Sequence, residues 1–168
     1  PPVYFRGRYP ATMSNFGIAV HGGAGTIPKA DMTPAREKAY REGLELAIRR
    51  GHAVLKDGGS ALDAVEVAVR ALEDCPHFNA GRGSVFNADG QHEMDASIME
   101  GHTLRAGAVA GVNNVKNPVG LARRVMDKSP HVLISGMGAF EFAHREKVAL
   151  EDDQYFFEML RAGVSGYV

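Results

Sequence analysis

The sequence predicts an α/β fold in which helices pack on a largely antiparallel sheet. Three observations carry that expectation. Two helical stripes each begin at a recognisable N-cap, and a run of short alternating segments is broken by a hairpin signal. The chain of 168 residues is 45% hydrophobic, enough for one real core.

The elements follow in order. Residues 17–20 are a short apolar run stopped by His21-Gly22-Gly23-Ala24-Gly25, which predicts a buried strand entering a glycine loop. Thr33-Pro34 supplies an N-cap and a proline at the first helical position. Tyr40, Leu44, Ala47, Ile48, Val54 and Leu55 extend the stripe to about Lys56, before Asp57-Gly58-Gly59. Ser60 with Asp63 resembles a capping box, and Leu62, Val65, Val69 and Leu72 line a second helix closed by Pro76. Residues 78–83 have no periodicity. Residues 84–86 and 92–99 flank Asn87-Ala88-Asp89-Gly90 and predict a hairpin. A small-residue strand over 106–112, a helix from Asn117-Pro118 to about Lys128, a strand over 131–135 and a helix over 139–147 complete the order. The series β-α-α-β-β-β-α-β-α lacks the strict alternation of a doubly wound fold. Residues 1–12 are expected to be an extension or cloning remnant ahead of a native start at Met13. Residues 13–150 form the domain, and 151–168 a flexible tail.

Composition removes several function classes. Formal net charge is −1, so the clustered basic excess of a phosphate-binding surface is missing and nucleic acid is not an expected partner. No apolar run approaches the roughly 18 residues of a membrane span, so no membrane partner is expected. The one cysteine, Cys75, cannot form an internal disulfide, and no Asn-x-Ser/Thr acceptor occurs. Both favour a reducing, cytoplasmic compartment.

The 20 glycines cluster at HGGAG, DGGS, AGRGS and SGMG, a pattern of tight turns or close backbone approach. None makes a phosphate loop, because Lys29 follows Pro28, and none completes a dinucleotide fingerprint. HGGAG read by itself is either a turn after a strand or an oxyanion loop. The Gly-x-Ser-x-Gly elbow that accompanies such a loop in α/β-hydrolases is missing. The histidines lack metal-site spacing. His92, Glu93 and Asp95, close in sequence, fit a solvated or interface face better than a metal site; Asp95 could be a catalytic carboxylate, but one strand alone does not show the paired carboxylates that acid–base work needs. Asn79 alone would be an ordinary loop amide.

Taken together, the loops have a joint meaning. HGGAG, then FNAGRGS, then MDASIMEG, then NPVGLARRVM with SPH occur in one order and spacing from about Gly17 to Val148. The chain thereby resembles the α-subunit of plant-type asparaginases and isoaspartyl peptidases, which are N-terminal-nucleophile hydrolases. The resemblance implies an αββα sandwich, of which this chain is the α-subunit half. It also implies a precursor that cuts itself before a threonine, which then attacks asparagine or a β-aspartyl dipeptide. That threonine, expected in a Gly-Thr-Val-Gly setting, is none of Thr12, Thr26, Thr33 and Thr103, the only threonines present; Gly25-Thr26-Ile27 is followed by Pro28. The nucleophile is therefore expected in a β-subunit, within an (αβ)2 heterotetramer, with the tail over 151–168 leading to the cleavage site.

By the same resemblance, main-chain oxygens of Leu72, Glu73, Cys75, Phe78, Ala80 and Arg82 hold a sodium or potassium ion, with no organic cofactor. Backbone carbonyls suit such a hard cation. The braced loop would present Asn79 to the nucleophile, its amide able to donate and accept, while Gly22 and Gly23 of HGGAG sit beside the cut. Two other readings remain at this level: a glycosylasparaginase-like branch, and an unprocessed homologue acting as an interaction domain. The missing glycosylation acceptor and lone cysteine count against the first.

Overall fold

The computed structural model describes residues 16–25 and 27–150; the expectations for 1–12, for Met13 and for 151–168 lie outside them. Helix α1, Pro34–Lys56, starts where the sequence places it: the Thr33 side chain accepts from the Arg36 amide at 3.2 Å. It ends in a Schellman motif, with Gly58 N–H on the Leu55 carbonyl and Gly59 N–H on that of Val54. Helix α2, Ala61–Glu73, is capped by Ser60, whose Oγ accepts from Asp63 N–H at 3.0 Å and donates to Asp63 Oδ2 at 2.7 Å. The carboxylate thus closes the box on the hydroxyl rather than on the backbone. Small residues let the two helices approach closely, with Ala47, Ala64 and Ala68 buried and the Gly51 backbone against the Ala64 carbonyl. Val65, expected on the buried stripe, is 39% exposed.

Strand β1, Met94–Met99, pairs antiparallel with β2, Ala106–Val112. Helix α3, Pro118–Lys128, follows, then β3, Leu133–Ser135, and α4, Gly136–Arg145. The sheet order is β1-β2-β3, and β3 runs parallel to β2. The sheet is therefore mixed. The helix between β2 and β3 makes a β-α-β crossover, and such a crossover brings its second strand back parallel. On β1, Met94 and Ile98 are buried while Asp95, Ser97 and Met99 are exposed, as a period of two requires. The core joins those buried residues to Val109 and Val112 of β2, to Val119, Leu121, Ala122, Val125 and Met126 of α3, and to Phe142 of α4.

Two expected strands are different in the structure. Residues 17–20 pair with no strand among the described residues and run as irregular chain, although Val20 packs against the cluster of Ala47, Ala71, Leu72 and Phe78. Residues 84–86 make only one bridge, Phe86 to His92. Asn87 takes over the turn: its side-chain oxygen accepts from both Asp89 N–H and Gln91 N–H, at 3.0 and 2.9 Å. An Asx turn of this kind satisfies backbone donors locally, so the ladder does not extend. Helix α4 also begins three residues before its expected start at 139, directly from β3.

Candidate functional site

The site is built where α2 runs out. The last carbonyls of a helix have no intrahelical partner, and here Pro76 stops the helix from continuing. The chain folds back tightly: Ala80 N–H meets the Phe78 carbonyl at 2.8 Å, Gly83 N–H that of Ala80 at 3.1 Å, and Ser84 N–H that of Gly81 at 3.0 Å. Gly81 has φ +52, in the left-handed region, and lies so close to the Glu73 carbonyl that a Cβ would come within 2.4 Å of its oxygen. At Gly83 a Cβ would fall 2.1 Å from the Phe78 oxygen and 2.8 Å from that of Pro76. Carbonyls of Glu73, Pro76 and Phe78 thus crowd around two glycines.

That donor set fits a hard monovalent cation. Each carbonyl keeps a second lone pair after one hydrogen bond, and oxygen is the donor such ions prefer. Of the expected ligands, Leu72 and Glu73 are the last residues of α2, Cys75, Phe78 and Ala80 lie on the turn that follows, and Arg82 is in the short 3-10 turn Gly81–Gly83. The Pro76 carbonyl also enters the crowded space and was not among them. Among the described residues, no cluster of His, Cys, Asp or Glu suits a metal ion, so side chains offer no competing site.

The same loop holds Asn79. Its Oδ1 accepts from Val85 N–H at 3.0 Å, and the residue is exposed. One lone pair is spent on the backbone, which restrains the amide. Ser84, buried, is 2.7 Å by its Oγ from His92 Nδ1, and the His92 ring lies 4.2 Å from that of Phe86. Burial lowers the pKa of His92. Sequence reasoning placed both residues on the two arms of one hairpin, with seven residues between them, but did not foresee that their side chains bond to each other.

Gly22 reaches the loop through Phe78. A Cβ on Gly22 would meet the Phe78 ring and the Leu44 side chain, both at 3.1 Å. The Phe78 ring lies over Gly43 of α1 as well. HGGAG and FNAGRG, separated in sequence, share one aromatic contact. Gly23 has open space around it, φ +112, and an N–H bonded to His21 Nδ1 at 3.1 Å. Asp95 does other work: its Oδ1 accepts from Gly111 N–H at 2.8 Å. This is the irregularity between β1 and β2, where Gly111 has φ +60.

Glu73 is the charged residue held most deeply here, 3% exposed. Its Oε1 accepts from Val119 N–H at 2.9 Å, while Oε2 meets no partner among the described residues. Burial, only partly opposed by the Val119 and Asn117 hydrogen bonds, pushes its carboxyl from 4.5 up to about 7. A raised carboxyl pKa means the folded chain keeps a proton that the unfolded chain has already lost. The contribution of Glu73 to stability is therefore full below about pH 4.5, falls as pH rises through that window and levels off above about 7. The loss amounts to roughly 3 kcal/mol. Glu73→Gln keeps an acceptor for Val119 without the charge, so urea denaturation of this variant should show a much flatter dependence between pH 5 and 8. Identical slopes for the two proteins would refute that.

The asparaginase family model matches residues 14–163. The chain belongs to the asparaginase family, whose members are hydrolases of the N-terminal-nucleophile type. It is 49% identical over 144 residues to an isoaspartyl peptidase of Escherichia coli, an alignment covering 86% of this chain and 45% of that protein. It is 58% identical over 126 residues to a plant-type L-asparaginase of Thermococcus kodakarensis, covering 75% and 40%. With an isoaspartyl peptidase/L-asparaginase of Rattus norvegicus the identity is 52% over 126 residues, covering 75% and 37%. The chain thus spans less than half the length of these relatives. No described helix is long and apolar enough to cross a membrane.

Proposed function

We propose that this chain is the α-subunit part of an autoprocessed amidohydrolase. The enzyme hydrolyses L-asparagine to L-aspartate and ammonia and cleaves isoaspartyl dipeptides. The observation that carries the proposal is the loop after α2: an amide, Asn79, locked by Val85 N–H, on a turn whose carbonyls converge around Gly81 and Gly83. The names of the relatives, isoaspartyl peptidase and plant-type L-asparaginase, agree with that chemistry.

In this reading the nucleophile is a threonine exposed by self-cleavage, at the start of a β-subunit from the same precursor, and the working assembly is an (αβ)2 heterotetramer in the cytoplasm. The threonine hydroxyl adds to the amide carbon while the freed α-amine takes its proton. The α-ammonium passes that proton to the departing nitrogen, so ammonia or the released amino acid leaves, and water then hydrolyses the acyl ester and restores the threonine hydroxyl. Asn79 Nδ2 donates to the nucleophile and steadies its geometry. Carbonyls of Leu72, Glu73, Cys75, Phe78, Ala80 and Arg82 would hold sodium or potassium, which stiffens the turn that carries Asn79. Gly22 and Gly23 lie beside the scissile segment, Gly22 seated on Phe78.

The test uses the full-length precursor. Intact mass and N-terminal sequencing should give two chains, the second beginning with threonine, and ammonia should be released from L-asparagine. Asn79→Ala is expected to lower kcat by about 100-fold, the usual effect of deleting one donor at a reacting centre, while stability falls by no more than the one lost bond to Val85 N–H, about 1 kcal/mol. A second chain without N-terminal threonine, or undiminished turnover in Asn79→Ala, would defeat the respective part.

A further inference from the structure

We infer that Glu73 and Asp74 are positioning residues that fasten the carbonyl cradle to the start of α3, so that a cation bound in the loop stabilises α3 on the sheet. The inference rests on the cation reading given above.

Two adjacent residues at the end of α2 reach across more than forty positions of sequence to the start of α3. Glu73 Oε1 accepts from Val119 N–H at 2.9 Å, and Asp74 Oδ1 accepts from Asn117 Nδ2 at 3.1 Å. Helix α3 lacks a side-chain cap of its own, since Asn117 at its N-cap position makes no such bond. One of its orphan N–H groups is instead satisfied by a carboxyl oxygen from another element. This is a long-range cap in a buried site, where an unmade bond is costly.

Glu73 faces both ways. Its side chain holds Val119, while its own carbonyl and Cβ press on Gly81, where an added Cβ would lie 2.4 and 2.7 Å away. Anything that fixes the Glu73 carbonyl, as a coordinated cation does, also fixes the root of the side chain that caps α3. Val119, Leu121 and Ala122 of α3 are the residues behind that cap, all buried in the core against β1 and β2. The coupling therefore runs from loop to core through one residue, without a change of fold. A purely structural Glu73 would support α3 equally with and without the ion.

Amide hydrogen exchange on the full-length processed protein separates these cases, comparing sodium chloride with choline chloride at equal ionic strength. In the wild type, saturating sodium should slow exchange at Val119 to Leu121 by about tenfold, the response of a local opening that bound ligand opposes. Glu73→Ala should reduce that response to less than about twofold, and Glu73→Gln, which retains an acceptor, should recover most of it. Asn79→Ala removes a side chain from the same loop that does not bond to α3, and its sodium response there should persist. If Glu73→Ala does not fold, Asn117→Ala tests the second tie and should weaken the response severalfold. A sodium response at residues 73–83 with none at 119–121 in the wild type would overturn the inference while leaving the cation reading intact. So would an undiminished response in Glu73→Ala, or in Asn117→Ala. No sodium response anywhere would overturn both.

Discussion

Gly107→Ala should cost the protein about 3 kcal/mol or more. Gly107 lies on β2 where α3 crosses it, and a Cβ there would fall 2.1 Å from the Ala122 carbonyl oxygen and 2.6 Å from the Met126 nitrogen. Both are backbone atoms of a helix whose Leu121, Ala122 and Val125 are fully buried, so no flexible side chain can yield. Relief requires α3 to move away from the sheet as a body, opening voids on either side of it. Helix α3 is also the element that carries β2 over to β3. Urea denaturation of Gly107→Ala beside Gly107→Ser should show both variants strongly destabilised. A midpoint for Gly107→Ala within about 1 kcal/mol of wild type would mean that α3 sits farther from the sheet than described.

Gly83→Ala should act on the loop rather than on the core. The added carbon would stand 2.1 Å from the Phe78 oxygen and 2.8 Å from that of Pro76, the first of which belongs to the proposed ligand set. The carbonyls must turn away, so the expected result is twofold. Sodium should raise the thermal midpoint of the wild type, by mass action on the folded state, and have no effect on Gly83→Ala. Turnover of L-asparagine should fall at least as far as in Asn79→Ala, because Phe78 and Asn79 are displaced together. Stability should drop by roughly 2–3 kcal/mol. A variant that keeps its sodium response would show that the carbonyls around Gly83 are not the ion's ligands.

Much of this architecture was legible in the residues. Thr33-Pro34 and Ser60 with Asp63 announced the two helix starts, because a cap is a local hydrogen bond between near neighbours. The hairpin signal placed a strand over 92–99, and within β1 the period of two that strand geometry sets puts Met94 and Ile98 inward. The order of HGGAG, FNAGRGS and MDASIMEG gave the family, and with it Asn79 and the loop of candidate ligands.

What the sequence left open depends on distant neighbours. Residues 17–20 have the apolar composition of a strand, but strands exist by pairing, and no described residue pairs with them. The parallel placing of β3 was hidden because direction follows from how α3 crosses the sheet. Ser84 and His92 meet through a turn organised by Asn87, and Gly22 meets Phe78 only once α1 has brought Leu44 and Gly43 beneath that ring.

The sequence by itself determined the helices, the place of β1, the family and the residues of the loop, since each is written in local spacing or motif order. Only the tertiary structure decided that Glu73 at the end of α2 caps Val119 at the start of α3. A buried carboxylate's partner is chosen by which backbone donor the packed core leaves unsatisfied, and that choice is made across the fold.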